Sequence, residues 1–318
     1  MSFVSKPRSF KASIGALTFG PGPSAVTIGG GGTLPLHFFD AKPDAPPRLP
    51  KVGVEVADTG FAAEGLPLLA ACYDGAATLA ERVRRAASLD GADFVCLRFE
   101  GADPGGVDRP VEECVALAKE ALDASPLPVA IAGCKNVEKD TALFTALAEA
   151  LQGRNVLFLS AREEDYKQIG AAAALAYGHK VGAESAVDIN LAKQLNVLMT
   201  QLGVPKESIA MNVGGAAAGY GFEYVASTMD RVRAAALEQE DAMLQMPIVT
   251  LVSQEAWAVK ESIASAEDVP EWGELEQRAI QMEAVTAAAC LASGSDAVVL
   301  RHPVTVGKIA ALIKALGV

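Results

Sequence analysis

Polar residues able to do chemistry gather at the downstream ends of seven of the eight apolar runs in this 318-residue chain. Glu55 and Asp58 close the first run. Arg98 and Glu100 close the second, ahead of Asp103-Pro104-Gly105-Gly106. The third ends in Gly133-Cys134-Lys135-Asn136 and the fifth in Asp188-Ile189-Asn190. The sixth ends in Asn212 and the loop Gly214-Gly215-Ala216-Ala217-Ala218-Gly219-Tyr220-Gly221. Ser253-Gln254-Glu255, with Trp257 beyond it, follows the seventh, and Arg301-His302-Pro303 follows the eighth.

Each group has a plain structural use beside its chemical one. Glu55 and Arg98 could act as acid and base, yet charged residues within strands are commonly a buried pair. Asp188 stands where a helix cap is needed. Glu100 with Asp103 could hold a divalent cation, but Asp-Pro-Gly is turn chemistry. Cys134 would need a base. Of the histidines His37, His179 and His302, His179 opens a strand at the opposite end, which leaves His302 as its partner. The run Gly29–Gly32 lacks the Lys-Ser/Thr of a phosphate loop, and no GxGxxG opens a helix. What remains is a glycine- and amide-rich site that lets backbone approach a flat or phosphorylated ligand, without an acid–base constellation.

The elements that position these residues alternate. Strand patterns cover Lys51–Asp58, Ala92–Glu100, Pro128–Cys134, Asn155–Ala161, His179–Ser185, Ser208–Gly214, Pro247–Ser253 and Ser295–His302. Their near-continuous Val/Ile/Leu content is that of parallel strands buried on both faces. Helical periodicity follows each, over Ala76–Leu89, Val111–Leu122, Val137–Leu151, Glu163–Tyr177, Ile189–Leu202, Tyr224–Glu240, Glu274–Ala292 and Val304–Leu316. Pro110 is well placed to open the second helix. Eight such units predict an α/β fold, a (β/α)8 TIM barrel over residues 51–318, with an open doubly wound sheet as the alternative. Residues 1–50 form an N-terminal extension, in which Ser13–Phe19 and Ala25–Ile28 read as a hairpin plugging the barrel bottom, before a Pro-rich linker. The connections Thr59–Asp74 and Gln254–Gly273 are long and fall on the face where barrels build their sites.

Composition narrows the partners. Lys+Arg 27 against Asp+Glu 39 leaves a net charge of −12, which disfavours nucleic acid and anionic membranes. The uncharged stretch Ala12–Phe39 is interrupted by Gly20-Pro21-Gly22-Pro23 and by four consecutive glycines, so it is not expected to span a membrane. Five cysteines without CxxC spacing predict reduced thiols in the cytoplasm and neither a zinc site nor an iron–sulfur cluster on this chain.

Several stretches in order along nearly the whole chain point further. They are GGGGTLPLHFFD at 29–40, VGVEVAD at 52–58, GADFVCLRFEGADPGG at 91–106 and GCKNVEKD at 133–140, then DINLAKQLN at 188–196, GYGFEYVASTMDRVR at 219–233, MPIVTLVSQEAWAVKE at 246–261 and AVTAAACLASGSDAVVLRHP at 284–303. Together they resemble the small (delta) subunit of the corrinoid/iron–sulfur protein of the CO dehydrogenase/acetyl-CoA synthase system. The resemblance implies a TIM barrel paired with a large subunit that carries the [4Fe–4S] cluster and a corrinoid (cobalamin) domain, the corrinoid lying at the interface. It further implies that the heterodimer carries a methyl group from methyltetrahydrofolate, through a methyltransferase, to CO dehydrogenase/acetyl-CoA synthase in the reductive acetyl-CoA pathway of carbon fixation. By strand-end position, the residues of this chain expected nearest the corrinoid are Asn212, Gly215, Tyr220, Gln254, Glu255 and His302. An alternative on the same fold is a pterin-binding methyltransferase, whose pterin would be held by Asp58, Asp103, Asp188, Asn190 and Asn212. A barrel serving purely as an assembly scaffold is a third.

Overall fold

A computed structural model describes residues 10–32, 49–62 and 64–316. Two short strands, β1 (Ala16–Phe19) and β2 (Val26–Gly29), pair antiparallel as a hairpin. Eight parallel strands follow: β3 (Lys51–Ala57), β4 (Phe94–Arg98), β5 (Val129–Ala132), β6 (Leu157–Ala161), β7 (Lys180–Glu184), β8 (Ile209–Asn212), β9 (Val249–Thr250) and β10 (Ala297–Leu300). Their order, β8-β7-β6-β5-β4-β3-β10-β9, makes neighbours of the first and last strands of the cycle. The remaining seam, between β8 and β9, is short: a single parallel bridge joins Met211 to Ile248. The eight-stranded barrel is therefore the observed architecture, rather than an open sheet.

The helices lie between the strands: α1 (Pro67–Cys72), α2 (Leu79–Ala87), α3 (Val111–Ala124), α4 (Val137–Ala150), α5 (Tyr166–Ile169), α6 (Ile189–Leu202), α7 (Phe222–Leu237), α8 (Val252–Ala256), α9 (Lys260–Ile263), α10 (Leu275–Ala292) and α11 (Pro303–Leu316). Thr78 and Glu81 exchange hydrogen bonds in a capping box, so α2 begins later than its apolar stripe suggests. Pro110 sits one residue ahead of α3, and the long Glu163–Tyr177 pattern resolves into α5 and a π-helical stretch Gly170–Ala176. The seventh strand is the largest departure from expectation. It keeps two residues, because Val252 and Ser253 turn into α8. Both long connections also hold helices, α1 in one and α8 with α9 in the other.

Two layers of core follow from the alternation of side chains along each strand. Val52, Val54 and Val56 face the helices, where they join Leu97, Ile131, Phe144, Phe158 and Met229. The interior layer holds Phe94, Cys96, Ala130, Leu157, Ala210, Val249 and Val299, and into it the hairpin inserts Leu17, Phe19, Val26 and Ile28. Phe19 meets Phe94 edge to face at 5.3 Å. Phe94 needs the bare backbone of Gly53 opposite it, where a Cβ would lie 2.4 Å from its ring. The hairpin is anchored at the upstream strand ends: Gly20 N donates to Asn155 O (2.7 Å), just before β6, and Gly15 N to Gln245 O (2.6 Å), before β9. That end of the barrel is closed by apolar packing. Among the described residues no helix is long and apolar enough to cross a membrane.

Candidate functional site

The downstream strand ends form the other face, a mouth organised by two charged networks. Glu55 of β3 is 1% exposed. Its Oε1 accepts from Arg301 Nε (3.0 Å) and Nη2 (2.7 Å), its Oε2 from Ser253 Oγ (2.8 Å), and Arg98 Nη1 lies 3.7 Å away. Burial alone would raise this carboxyl, but Arg301 and Arg98 hold it below the ordinary glutamate range, so it is an anion fixed between cations. The Glu55–Arg98 pairing is thus structural, with Arg301 as the nearer partner. Arg98 also reaches Glu100 Oε1 at 2.7 Å.

Arg301 is held from both sides. Its guanidinium lies 5.1 Å from the ring centres of Phe61 and of Trp257. Trp257 stacks in turn on His302 at 6.2 Å. Beneath this column are two carboxylates of α10. Buried Glu283 accepts from Trp257 Nε1 (3.0 Å), Arg301 N (2.6 Å) and His302 N (3.1 Å). Glu276 Oε1 meets His302 Nε2 at 3.1 Å and also takes the Leu68 and Leu69 amides, which pins α1. Val304 N donates to His302 Nδ1, so the ring is a neutral imidazole donating from Nε2, in keeping with burial lowering its pKa.

The second network spans β6 to β9. Asn212 Nδ2 donates to Ser160 Oγ (2.9 Å) and Glu184 Oε2 (3.3 Å), and its Oδ1 accepts from Gly214 N (3.2 Å). Arg162 Nε lies 3.3 Å from Glu184 Oε1. Above them Lys135 Nζ reaches across the mouth to Glu255 Oε1 at 3.4 Å. Gly215 lies against Glu255, where a Cβ would stand 2.9 Å from Cγ. With Gln254 and Leu251 these residues enclose only about 40 Å³. Backbone strain collects on this face: of the six described non-glycine residues with positive φ, Asp108, Lys135, Ala186 and Val187 lie in connections leaving β4, β5 and β7. Such conformations persist where the surroundings over-determine them, characteristically at functional sites.

Comparison with known proteins agrees with the barrel. The family model described as CO dehydrogenase/acetyl-CoA synthase delta subunit matches residues 16–301. The chain belongs to this family. It is 33% identical over 304 residues to the acetyl-CoA decarbonylase/synthase complex subunit delta of Archaeoglobus fulgidus, covering 92% of this chain and 64% of that protein. Delta subunit 2 of Methanosarcina acetivorans is 32% identical, with 92% and 66% covered, so the chain spans somewhat under two thirds of these relatives. Among solved structures, dihydropteroate synthase of Xanthomonas albilineans with 4-aminobenzoic acid has a TM-score of 0.53 at 14% identity, over 95% of this chain and 98% of that one. That likeness shows the shared barrel.

Within this family member the six residues expected at the ligand separate into groups. Asn212, Gly215, Gln254 and Glu255 line the mouth cavity together. Tyr220 lies outside it, in a groove with Val187, Tyr224 and Arg231, and its hydroxyl donates to Glu261 Oε2 at 2.5 Å. His302 is 0% exposed, below the mouth, and stacks on Trp257. The other expectations also find places. Asp188 caps α6 by accepting from Asn190 N (2.7 Å) and Leu191 N (3.2 Å), and Asp103 accepts from Gly105 N (2.9 Å) in its turn. Among the described residues no histidine pairs with Cys134: its Sγ donates to Asp140 Oδ1 at 3.2 Å, and burial pushes the thiol up to about 12. A thiol so held is a poor nucleophile. No cluster of three His, Cys, Asp or Glu residues able to hold a metal ion occurs among the described residues. His37 lies outside them.

Sequence reasoning missed Arg162, Glu184, Glu276 and Glu283. The last two leave a signal, since they stand seven apart, on the same buried face of α10 as Ile280 and Ala287.

Proposed function

We propose that this chain is the small subunit of a heterodimeric corrinoid/iron–sulfur methyl carrier, with its barrel mouth capping a corrinoid bound by the large subunit. The complex would take a methyl group from methyltetrahydrofolate by way of a methyltransferase and deliver it to acetyl-CoA synthase. The observation that carries this reading is the filled mouth. Its cavity of about 40 Å³ compares with roughly 300–1,000 Å³ for sites that engulf a small molecule. A ligand must lie across the rim, which is how a cap meets a flat macrocycle.

The residues present fit that task. Gly214 and Gly215 allow close approach, and Lys135, Gln254 and Glu255 offer polar groups around them. His179 and His302 are fully buried with both ring nitrogens engaged, so neither presents an imidazole at the rim. The Cys134 thiol is already donated to Asp140. When bound, the corrinoid would supply a cobalt centre for methyl transfer. This chain would shield one face from water, hold the macrocycle's plane and keep acidic protons away from it. Tyr220 would meet the ligand's edge or the partner, and His302 would act through Trp257. The [4Fe–4S] cluster would sit on the partner. The names of the relatives, subunits of acetyl-CoA decarbonylase/synthase complexes, support such assembly. The acidic charge and five free thiols suit a cytoplasmic protein that binds neither nucleic acid nor membrane. The hairpin would serve as an N-terminal extension to the barrel.

The pterin-binding alternative draws on the barrel shared with dihydropteroate synthase. Against it, four of the five candidate pterin donors are engaged, Asn190 being the exception. Asp58 is paired with Arg109 and accepts from Gly101 N (2.8 Å), Asp103 and Asp188 serve turn and cap, and Asn212 is committed on both sides of its amide.

Anaerobic affinity purification of the tagged full chain, with a visible spectrum and metal analysis, tests the proposal. A larger partner arriving with about one cobalt and four irons per complex is expected. A chain purified without cobalt that binds methyltetrahydrofolate would overturn the carrier reading in favour of the pterin site.

A further inference from the structure

Lys135 is aimed over the mouth by its backbone, not by its ion pair. Its φ is +73°, a left-handed conformation that a lysine adopts only under constraint. The constraint is visible on both sides of the residue. Asp140 Oδ2 accepts from Lys135 N at 2.9 Å, while Oδ1 accepts from Cys134 N at 2.8 Å. Arg162 Nη1 donates to Lys135 O at 3.2 Å. Gly133 makes room for this clamp, since a Cβ there would fall 2.1 Å from Asp140 Oδ1.

The reward for this strain within the chain is small. Lys135 Nζ stands a long 3.4 Å from Glu255, with the lysine side chain 58% exposed and the glutamate 32%. A pair so exposed contributes little. The other strained residues of the mouth face differ. Asp108 takes a close partner in Lys139 at 2.7 Å, and Ala186 and Val187 carry no charge. Among the described residues Lys135 is thus the strained cation of the mouth, held ready above a cavity it does not fill.

Building on the capping function proposed above, we infer that Lys135 is a ligand-positioning residue. Its ammonium donates to an oxygen on the periphery of the corrinoid covering the mouth, exchanging Glu255 for it. The oxygen belongs either to the phosphodiester of a nucleotide tail or to a side-chain carboxamide; the chemistry is the same.

The test uses the tagged full chain purified anaerobically with its partners, as wild type, Lys135→Asn and Lys135→Arg. Asn tolerates the left-handed backbone but carries no cation. The readouts are thermal midpoint, cobalt per chain and the rate of corrinoid release on dilution. For Lys135→Asn we expect an unchanged midpoint and release roughly tenfold faster, the size of a lost charged hydrogen bond. Lys135→Arg should stay within about twofold. Reconstitution with cobalamin or with cobinamide, which lacks the phosphodiester, separates the sources: an effect confined to cobalamin identifies the tail, and an equal effect identifies the carboxamides. Should Lys135→Asn not fold, Lys135→Gly, which relieves φ, replaces it. Wild-type release from the cation-less variant overturns the role of Lys135 while leaving the cap intact. A wild-type preparation without cobalt overturns the cap itself, and this inference with it.

Discussion

The two ends of the barrel interior are made from the same strands and built on opposite principles. On β4, Phe94 at the upstream end packs on Phe19 of the hairpin, while Arg98, four residues on, joins the ionic mouth. On β3, Gly53 makes way for Phe94 and Glu55, two residues later, is clamped by Arg301. The apolar end is cheap to close and specifies nothing. The charged end needs Arg301, Arg98, Ser253, Phe61 and Trp257 to hold a single carboxylate. A buried ion cluster is seldom a net source of stability. Inside the barrel the cluster sits at the mouth, while at the upstream end the buried pair of Arg233 and Asp296 joins α7 to the start of β10 outside the apolar plug, so the mouth is the end of the interior where charge is gathered.

Substitutions at each end sharpen that contrast. The largest loss is expected from Phe94→Ala at the plug, about 4 kcal/mol from lost burial and the cavity left behind, measured by denaturant unfolding. The loss should not depend on pH, and a pH-dependent loss would show that the plug is coupled to the mouth. Glu55→Gln follows at about 3 kcal/mol, because it leaves Arg301 without its anion and Arg98 with Glu100 alone. Its signature is a pH dependence. The folded pKa of Glu55 lies below its ordinary 4.5, so its stabilisation is complete above 4.5 and is lost as pH falls through the lowered value. The variant should flatten that acid limb.

Asp165 has the opposite sign. It accepts from Arg162 N at 2.6 Å, yet its other oxygen is buried without a partner, and burial pushes its pKa from 3.8 up to about 6. Folding therefore favours the protonated form, and the molecule loses stability as pH rises from 3.8 through 6. Asp165→Asn keeps the acceptor for Arg162 and removes the charge. It should gain about 1 kcal/mol at pH 7 and nothing below pH about 3.8, as read by thermal unfolding across that range. No gain at pH 7 would mean that water solvates the second oxygen.

What could be read from the sequence divides along the same line. Strands such as Lys51–Ala57 announce themselves because burial on both faces keeps most of their residues apolar or small, and charges inside them, Glu55 and Arg98, stand out. The partner of Glu55 did not, since Arg301 lies 246 residues away and only barrel closure brings β3 beside β10. The seventh strand was overestimated because Val252 suits strand and helix alike, and β9 needs only its short seam. Lys135 shows the hardest case. Residue type argues against a left-handed lysine, and the carboxylate that enforces it sits five residues on, inside α4. Strain imposed by tertiary contacts leaves no local pattern to find.

Gly215→Leu separates the two ends most cleanly, because its effect on stability should be the smallest. Gly215 does not occupy the left-handed region, and the atom its Cβ would approach is Cγ of Glu255, a side chain 32% exposed and free to swing outward. The barrel should unfold within about 1 kcal/mol of wild type, because the half-buried position sits at the rim, outside the packed core. The bulk would nonetheless stand on the rim over the mouth cavity and displace Glu255 from Lys135. If a flat ligand lies there, methyl transfer by the assembled complex should fall at least about tenfold, the cost of misplacing a bound reactant by an ångström or more. Normal transfer with a leucine in place would move the ligand off this side of the mouth, towards the groove of Tyr220 and Tyr224.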